Sequence, residues 1–225
     1  QAEILTEQYP GALLVWNILG ASRAQIGMLN EAIEAYKECI LLKPDFADAY
    51  NNIGVAFRNQ GKLDEAIESY KKAISVKPDY AGAYSNMGVA LKDQEKFDEA
   101  IEAYKKAILL KPDYAEAYDN MGVALKNKGK LDEAIEAYKK AISLKPSHVK
   151  AYYNMGNALK DQGKLEEAIK CFNKALVIKP DYTEAYNNMG LALLSQDKME
   201  EAIEAYNKSI YLKPDYADAH KNLGF

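Results

Sequence analysis

Six asparagines, Asn52, Asn86, Asn120, Asn154, Asn188 and Asn222, recur at steps of 34 residues, with Ile18 at the one earlier place in the series. A primary amide carries both a donor and an acceptor. A row of them therefore matches the N–H and C=O of an extended peptide, whatever that peptide's side chains are. The same residues suit a second use, capping or bracing neighbouring helices, and the sequence leaves both open. Other chemistry is sparse. His148 and His220 stand 72 residues apart, with no cysteine or carboxylate at metal-ligand spacing around either. In the stretch GNALKDQGKL, Gly156 and Gly163 are too far apart for a phosphate loop, and Leu165 stands where Ser or Thr would hold magnesium. The glutamates repeat at matched helical positions, and no two are singled out as a catalytic pair. The chain is expected to be no enzyme and to need no metal or cofactor. Cys39 and Cys171 read as reduced, buried thiols, which suits a reducing compartment, and cytoplasmic placement is the expectation.

The elements that position the amides follow the same period. Glycine recurs at Gly20, Gly54, Gly88, Gly122, Gly156, Gly190 and Gly224, and proline at Pro10, Pro44, Pro78, Pro112, Pro146, Pro180 and Pro214. An aromatic lies four residues before most of these glycines (Trp16, Tyr50, Tyr84, Tyr118, Tyr152, Tyr186). An alanine lies twelve after (Ala32, Ala66, Ala100, Ala134, Ala168, Ala202), followed four later by Tyr36, Tyr70, Tyr104, Tyr138, Phe172 or Tyr206. Apolar residues fall at spacings of three and four in two blocks per period, which predicts two helices per repeat. Gly27, Gly61, Gly129 and Gly163 suit the left-handed residue that closes a first helix, while Glu95 and Asp197 occupy that place in two repeats and should make costlier turns. Asp113 with Glu116, and Asp181 with Glu184, read as capping boxes. Each Lys-Pro then ends a second helix, because the residue before proline is excluded from helical geometry. Glycines at one helical phase let the paired helices approach closely.

These marks, aromatic-x-x-apolar-Gly, Ala-x-x-x-aromatic and Pro, resemble those of the tetratricopeptide repeat family. The resemblance covers the whole chain. It implies an all-α fold, a right-handed superhelical α-solenoid of 34-residue helix-turn-helix units. Full repeats are expected at 13–46, 47–80, 81–114, 115–148, 149–182 and 183–216, with a partial repeat at 1–12 (second helix) and another at 217–225 (first helix). It also implies that first helices line a concave groove where extended peptides lie. The amide row falls there and is similar to the asparagine ladder of O-linked N-acetylglucosamine transferases. Asn51, Asp119, Tyr153 and Asn187, one residue before the row, and Asn157, three after it, are further groove candidates. Repeat five looks richest, with Lys150, Tyr153, Asn154 and Asn157 along one face and Tyr153 as an exposed aromatic anchor. The family's carboxylate clamp for chaperone tails is missing, since its places hold Asn51, Val55, Asn86, Glu116 and Asn120.

Composition narrows the partners. A formal charge of −4 over 225 residues gives no basic excess for a phosphate backbone, so nucleic acid is not expected. No apolar run is long enough to suggest membrane insertion. The chain starts at Gln1 and interrupts a repeat at each end, and reads as a segment of a longer protein. The leading expectation is a scaffold that holds proteins or peptides. The alternative is a structural element whose incomplete terminal repeats associate head to tail into a homo-oligomer.

Overall fold

The computed structural model describes residue 4 and residues 8–224. Among these lie thirteen helices and no strand. The first helices of successive repeats are α1 (Leu13–Gln25), α3 (Ala47–Asn59), α5 (Ala81–Asp93), α7 (Ala115–Asn127), α9 (Val149–Asp161), α11 (Thr183–Leu194) and α13 (Ala217–Leu223). The second helices are α2 (Leu29–Leu42), α4 (Leu63–Val76), α6 (Phe97–Leu110), α8 (Leu131–Leu144), α10 (Leu165–Ile178) and α12 (Met199–Leu212). The helix expected within 1–12 lies largely outside the described residues. The fold is all-helical and of the α-solenoid class. It divides into two compact units, Gln1–Pro112 and Asp113–Phe225. Within each unit a first helix packs on its own second helix, and that second helix packs on the next first helix.

Local chemistry explains the segmentation. Lys43, Lys77, Lys111, Lys145, Lys179 and Lys213, the residues before proline, leave helical geometry for φ between −130° and −145°. Between the two helices of a repeat the chain turns through a left-handed residue. At Gly61 (φ +76°) the Gly61 amide donates to the Arg58 carbonyl and the Lys62 amide to the Phe57 carbonyl, both at 2.9 Å. That is the Schellman pattern, which satisfies two carbonyls at the helix end. Glu95 (φ +60°) and Asp197 (φ +59°) take the same conformation although they carry side chains, as their positions in the repeat predict. The expected capping boxes do not form. Helix α7 begins after Tyr114 and α11 after Tyr182, neither with a side-chain cap, so Asp113 and Asp181 stand one residue too early. The Glu116 carboxylate is held instead by Lys145 Nζ at 2.8 Å.

The contact that sets helix spacing is a ring on a glycine. A Cβ added at Gly122 would lie 2.5 Å from the Tyr138 ring, and at Gly54 2.6 Å from the Tyr70 ring. Gly20, Gly88, Gly156 and Gly190 stand in the same relation to Tyr36, Tyr104, Phe172 and Tyr206, rings that are 3% exposed or less. Gly224 differs from the other six, ending α13 at φ +95° with nothing within 4 Å of the added atom. Around each ring pack the small residues of the period. In the first unit Ala32, Ile33, Tyr36, Cys39, Ala49, Ile53 and Ala56 form one buried cluster. In the second, Leu193, Ala202, Ala205 and Tyr206 form another, capped by Leu223 from α13. Burial pushes both thiols, Cys39 and Cys171, up to about 11, which makes them packing groups rather than nucleophiles.

Two stability changes follow, measurable by chemical denaturation. Glu95→Gly should stabilise by about 0.5–1 kcal/mol, and Asp197→Gly by less, since Asp tolerates the left-handed region better. Gly122→Ala should destabilise by about 1–3 kcal/mol despite its better helix propensity, because the ring of Tyr138 must move.

Candidate functional site

The amide row lies on first helices, as its spacing requires. Asn52 is on α3, Asn86 on α5, Asn120 on α7, Asn154 on α9, Asn188 on α11 and Asn222 on α13, and all six are half-buried. Four of them, Asn86, Asn154, Asn188 and Asn222, bind the repeat before them. Asn86 Nδ2 donates to Asn51 Oδ1 at 2.9 Å, Asn154 Nδ2 to Asp119 Oδ1 at 3.0 Å, and Asn222 Nδ2 to Asn187 Oδ1 at 2.9 Å. Each bond joins a residue to one 35 positions earlier, from the row to the place just before it in the preceding repeat. These four members of the row are thus inter-repeat braces. Each brace uses one N–H of the amide, so the second N–H and the carbonyl lie outside the bond.

Several groove candidates are corrected by this arrangement. Asn51, Asp119 and Asn187 are 8%, 5% and 3% exposed, covered by the amide they receive, so they are acceptors inside the seam rather than open groove positions. Tyr153 is no exposed anchor. Its ring is half-buried, 4.9 Å from the Tyr182 ring and 6.1 Å from Phe172. Its hydroxyl accepts from Asn188 Nδ2 at 2.9 Å, while Asn157 Oδ1 accepts from the same nitrogen at 2.8 Å. The hydrogen-bonding wealth of repeat five therefore holds repeat six. Where Tyr153 replaces a small polar residue, the ring facing it is Phe172, the one member of the ring series without a hydroxyl. Lys150 is exposed, and Asn157 is half-buried.

Repeat four carries a polar cluster that the spacing rules did not find. His148 stands at the place held by Phe46, Tyr80, Tyr114, Tyr182 and Tyr216 in other repeats, and it meets Asp119, the only carboxylate at its own place in the series. His148 Nε2 lies 4.0 Å from Asp119 Oδ2, with both side chains about nine-tenths buried. Burial pushes the Asp119 carboxyl up, and nearby Glu116 adds to this. The Asn154 bond and the charges of His148 and Lys150 oppose it. The Asp119 charge in turn helps burial push the Tyr138 phenol up. A further seam also escaped the sequence: Gln60 Nε2 donates to Asn30 Oδ1, Gln94 to Asp64 Oδ1 and Gln162 to Asp132 Oδ1, at 2.8–2.9 Å and a constant separation of 30 residues. A glutamine recurring at the end of the first helix was the available signal. Among the described residues no three His, Cys, Asp or Glu side chains group as a metal site, and no helix is long and apolar enough to cross a membrane.

Paired helices repeating every 34 residues, closed by ring-on-glycine contacts and braced repeat to repeat, define a tetratricopeptide-type scaffold. Comparison places it further. Over residues 4–222 the chain matches the family described as cilia and flagella-associated protein 70 C-terminal domain, and it belongs to that family. The solved structure of MamA is 31% identical, covering 73% of this chain and 96% of its own, with a TM-score of 0.67. YrrB, described as a TPR protein with an unusual peptide-binding site, is 24% identical over 84% of this chain and 97% of its own, also at 0.67. PilF of Pseudomonas aeruginosa, 18% identical, covers 93% of this chain and 95% of its own at a TM-score of 0.81. At those last two identities the likeness concerns the fold alone. No curated protein matches the chain.

Asp119 gives the seam a pH dependence whose sign is fixed. A carboxyl raised above its ordinary value contributes stability below that value and loses it as pH rises through the raised one. An amide in its place keeps an acceptor for Asn154, as Asn51 and Asn187 do for their partners. Asp119→Asn should therefore raise the melting temperature, by more at about pH 7.5 than at about pH 4.5. Calorimetry at the two values checks it.

Proposed function

We propose that the array is a protein-binding scaffold whose first-helix face holds extended peptides, with the half-buried amide row reading peptide backbone. The observation that carries this reading is the geometry of the braces. Asn86, Asn154 and Asn222 each engage one N–H with the preceding repeat, which fixes the amide plane and leaves a donor and an acceptor side by side. Asn188 donates to two partners and its carbonyl accepts from Asn187 Nδ2 at 3.3 Å, so it is the member of the row most engaged within the array. Contact to backbone groups would be tolerant of peptide sequence, with selectivity from Lys150 and the variable residues after each glycine. A fixed amide loses little entropy on binding, the general advantage of preorganisation. The likeness to the amide row of O-linked N-acetylglucosamine transferases, and YrrB's description as peptide-binding, agree in kind with this use. A second reading, association of copies end to end, draws on exposed Leu14 and Ile18 of α1 and Met199 and Ile203 of α12. Residues 1–3 and 5–7, on which it also depended, lie outside the described residues.

The test is a pull-down from native lysate on the parent and on the Asn120→Ala/Asn154→Ala/Asn188→Ala variant, with partners identified by mass spectrometry. Partners held by the parent and lost from the variant support the reading. Their minimal peptides should bind about tenfold more weakly to the variant, and also after backbone N-methylation. Because the variant removes braces, its helicity and melting curve are measured alongside, with about 1 kcal/mol lost per brace expected and no unfolding at assay temperature. An identical partner list from both proteins overturns the groove. Light scattering over about a hundredfold dilution tests the second reading, which requires mass to grow with concentration.

A further inference from the structure

Each unit also has an apolar crevice between two successive second helices, floored in part by the first helix between them. In the first unit a crevice of about 650 Å³ opens between α4 and α6, floored by Ile67, Met87, Leu91 and Ala103. In the second, a crevice of about 590 Å³ opens between α10 and α12, floored by Ile169, Met189, Leu193 and Ala205. The two floors match position for position at an offset of 102 residues, three repeats, so the same cleft is built twice from the same period. Met87 and Met189 are half-buried at the centre of each floor, where their flexible thioethers adapt to an inserted side chain. The surrounding surface is apolar as well. Beyond the first repeat, every strongly exposed large apolar side chain among the described residues lies on a second helix, with Leu109, Val177 and Tyr211 each more than 70% exposed. Monomer surfaces rarely gather apolar side chains in this way without a partner.

The rims say what that partner is. Around the first crevice five carboxylates, Glu99 and Glu102 among them, face three lysines. Around the second, Glu201 and Glu204 face Lys208 alone, and that ammonium lies over the Tyr211 ring, 5.2 Å from its centre. Asn173 stands there where the first crevice has Lys71. Both rims are therefore net acidic around an apolar, methionine-centred floor. We infer that the clefts between successive second helices are docking sites for a basic amphipathic helix of a partner protein, whose large apolar residues enter over Met87 or Met189 while its lysines or arginines meet the rim carboxylates. The amide row plays no part in this site. Both faces can be occupied at once.

The experiment uses fluorescence anisotropy with a labelled helical peptide of about sixteen residues, built of leucine and lysine at spacings of three and four. Two control peptides replace every lysine by glutamate, or every leucine by glutamine. Exposed Glu99, Glu102, Glu201 and Glu204 are changed together to Lys, which leaves the cores untouched. The leucine–lysine peptide should bind the parent, and should bind the charge-reversed variant about tenfold more weakly or worse. It should bind the Asn154→Ala/Asn188→Ala variant as it binds the parent. Neither control peptide should bind. Equal binding to parent and charge-reversed variant overturns the proposal. So does equal binding of the glutamine control, which would make the attraction charge alone, or a loss confined to the asparagine variant, which would place the peptide on the first-helix face. Failure here leaves the amide row's own test untouched, because the two faces respond to different substitutions.

Discussion

A side chain that is not there governs the structure. At six glycines an aromatic ring occupies the volume a Cβ would need, with contacts of 2.5–2.7 Å to the imagined atom. This is a hard steric condition rather than a preference. It fixes how far apart the helices of a repeat lie, and with that distance it fixes which neighbours every other side chain can reach. The row of alanines is small because the ring has already set the spacing, and Ala66, Ala100, Ala134 and Ala168 are fully buried as a result. A helix loses about 1 kcal/mol of propensity at each such glycine relative to alanine, and the burial of a tyrosine or phenylalanine ring more than offsets it.

Given that spacing, polar groups at the seams have defined partners. The amide of one repeat reaches the residue 35 positions earlier, and the turn glutamine reaches the residue 30 earlier. Backbone and apolar contacts repeat almost identically along each unit, whereas the seam pairs differ: Asn with Asn, Asn with Asp, Asn with Tyr and Asn together. Individuality in this chain is concentrated there. The His148–Asp119 pair belongs to the same logic, since two unusual residues in successive positions of the seam were placed to meet each other. In this geometry a brace through one N–H does not consume the whole amide. A side chain held by one N–H is better posed to use the other.

The sequence carried the fold in detail because period and sterics speak through single residue types. Proline positions gave the ends of second helices, and the conformation of Glu95 and Asp197 followed from the glycines they replace. Caps were less legible. Asp113 and Glu116 have the spacing of a capping box, yet the helix starts one residue later and Lys145 takes the glutamate, a competition that lies outside any local window. The site was legible in position and misread in exposure. Asparagines at one phase could be placed on first helices, but their burial depends on the angle between repeats, which no residue spacing encodes. Tyr153 shows the same gap: its type suggested an anchor, and only the positions of Tyr182, Phe172 and Asn188 reveal a packed ring with a bonded hydroxyl.

The seam pairs also make the order of repeats chemically significant. Repeat six could not trade places with a neighbour without consequence: set after repeat four, Asn188 would meet Asp119 and Val123 in place of Tyr153 and Asn157, and one of its two donors would face a methyl group. Units so alike in sequence would be expected to shuffle, slip or exchange freely during duplication and during folding. Here each junction that carries such a pair checks the identity of the unit that follows it, a lock-and-key relation between neighbours in one chain, which gives a nearly periodic polymer a direction and an order of parts.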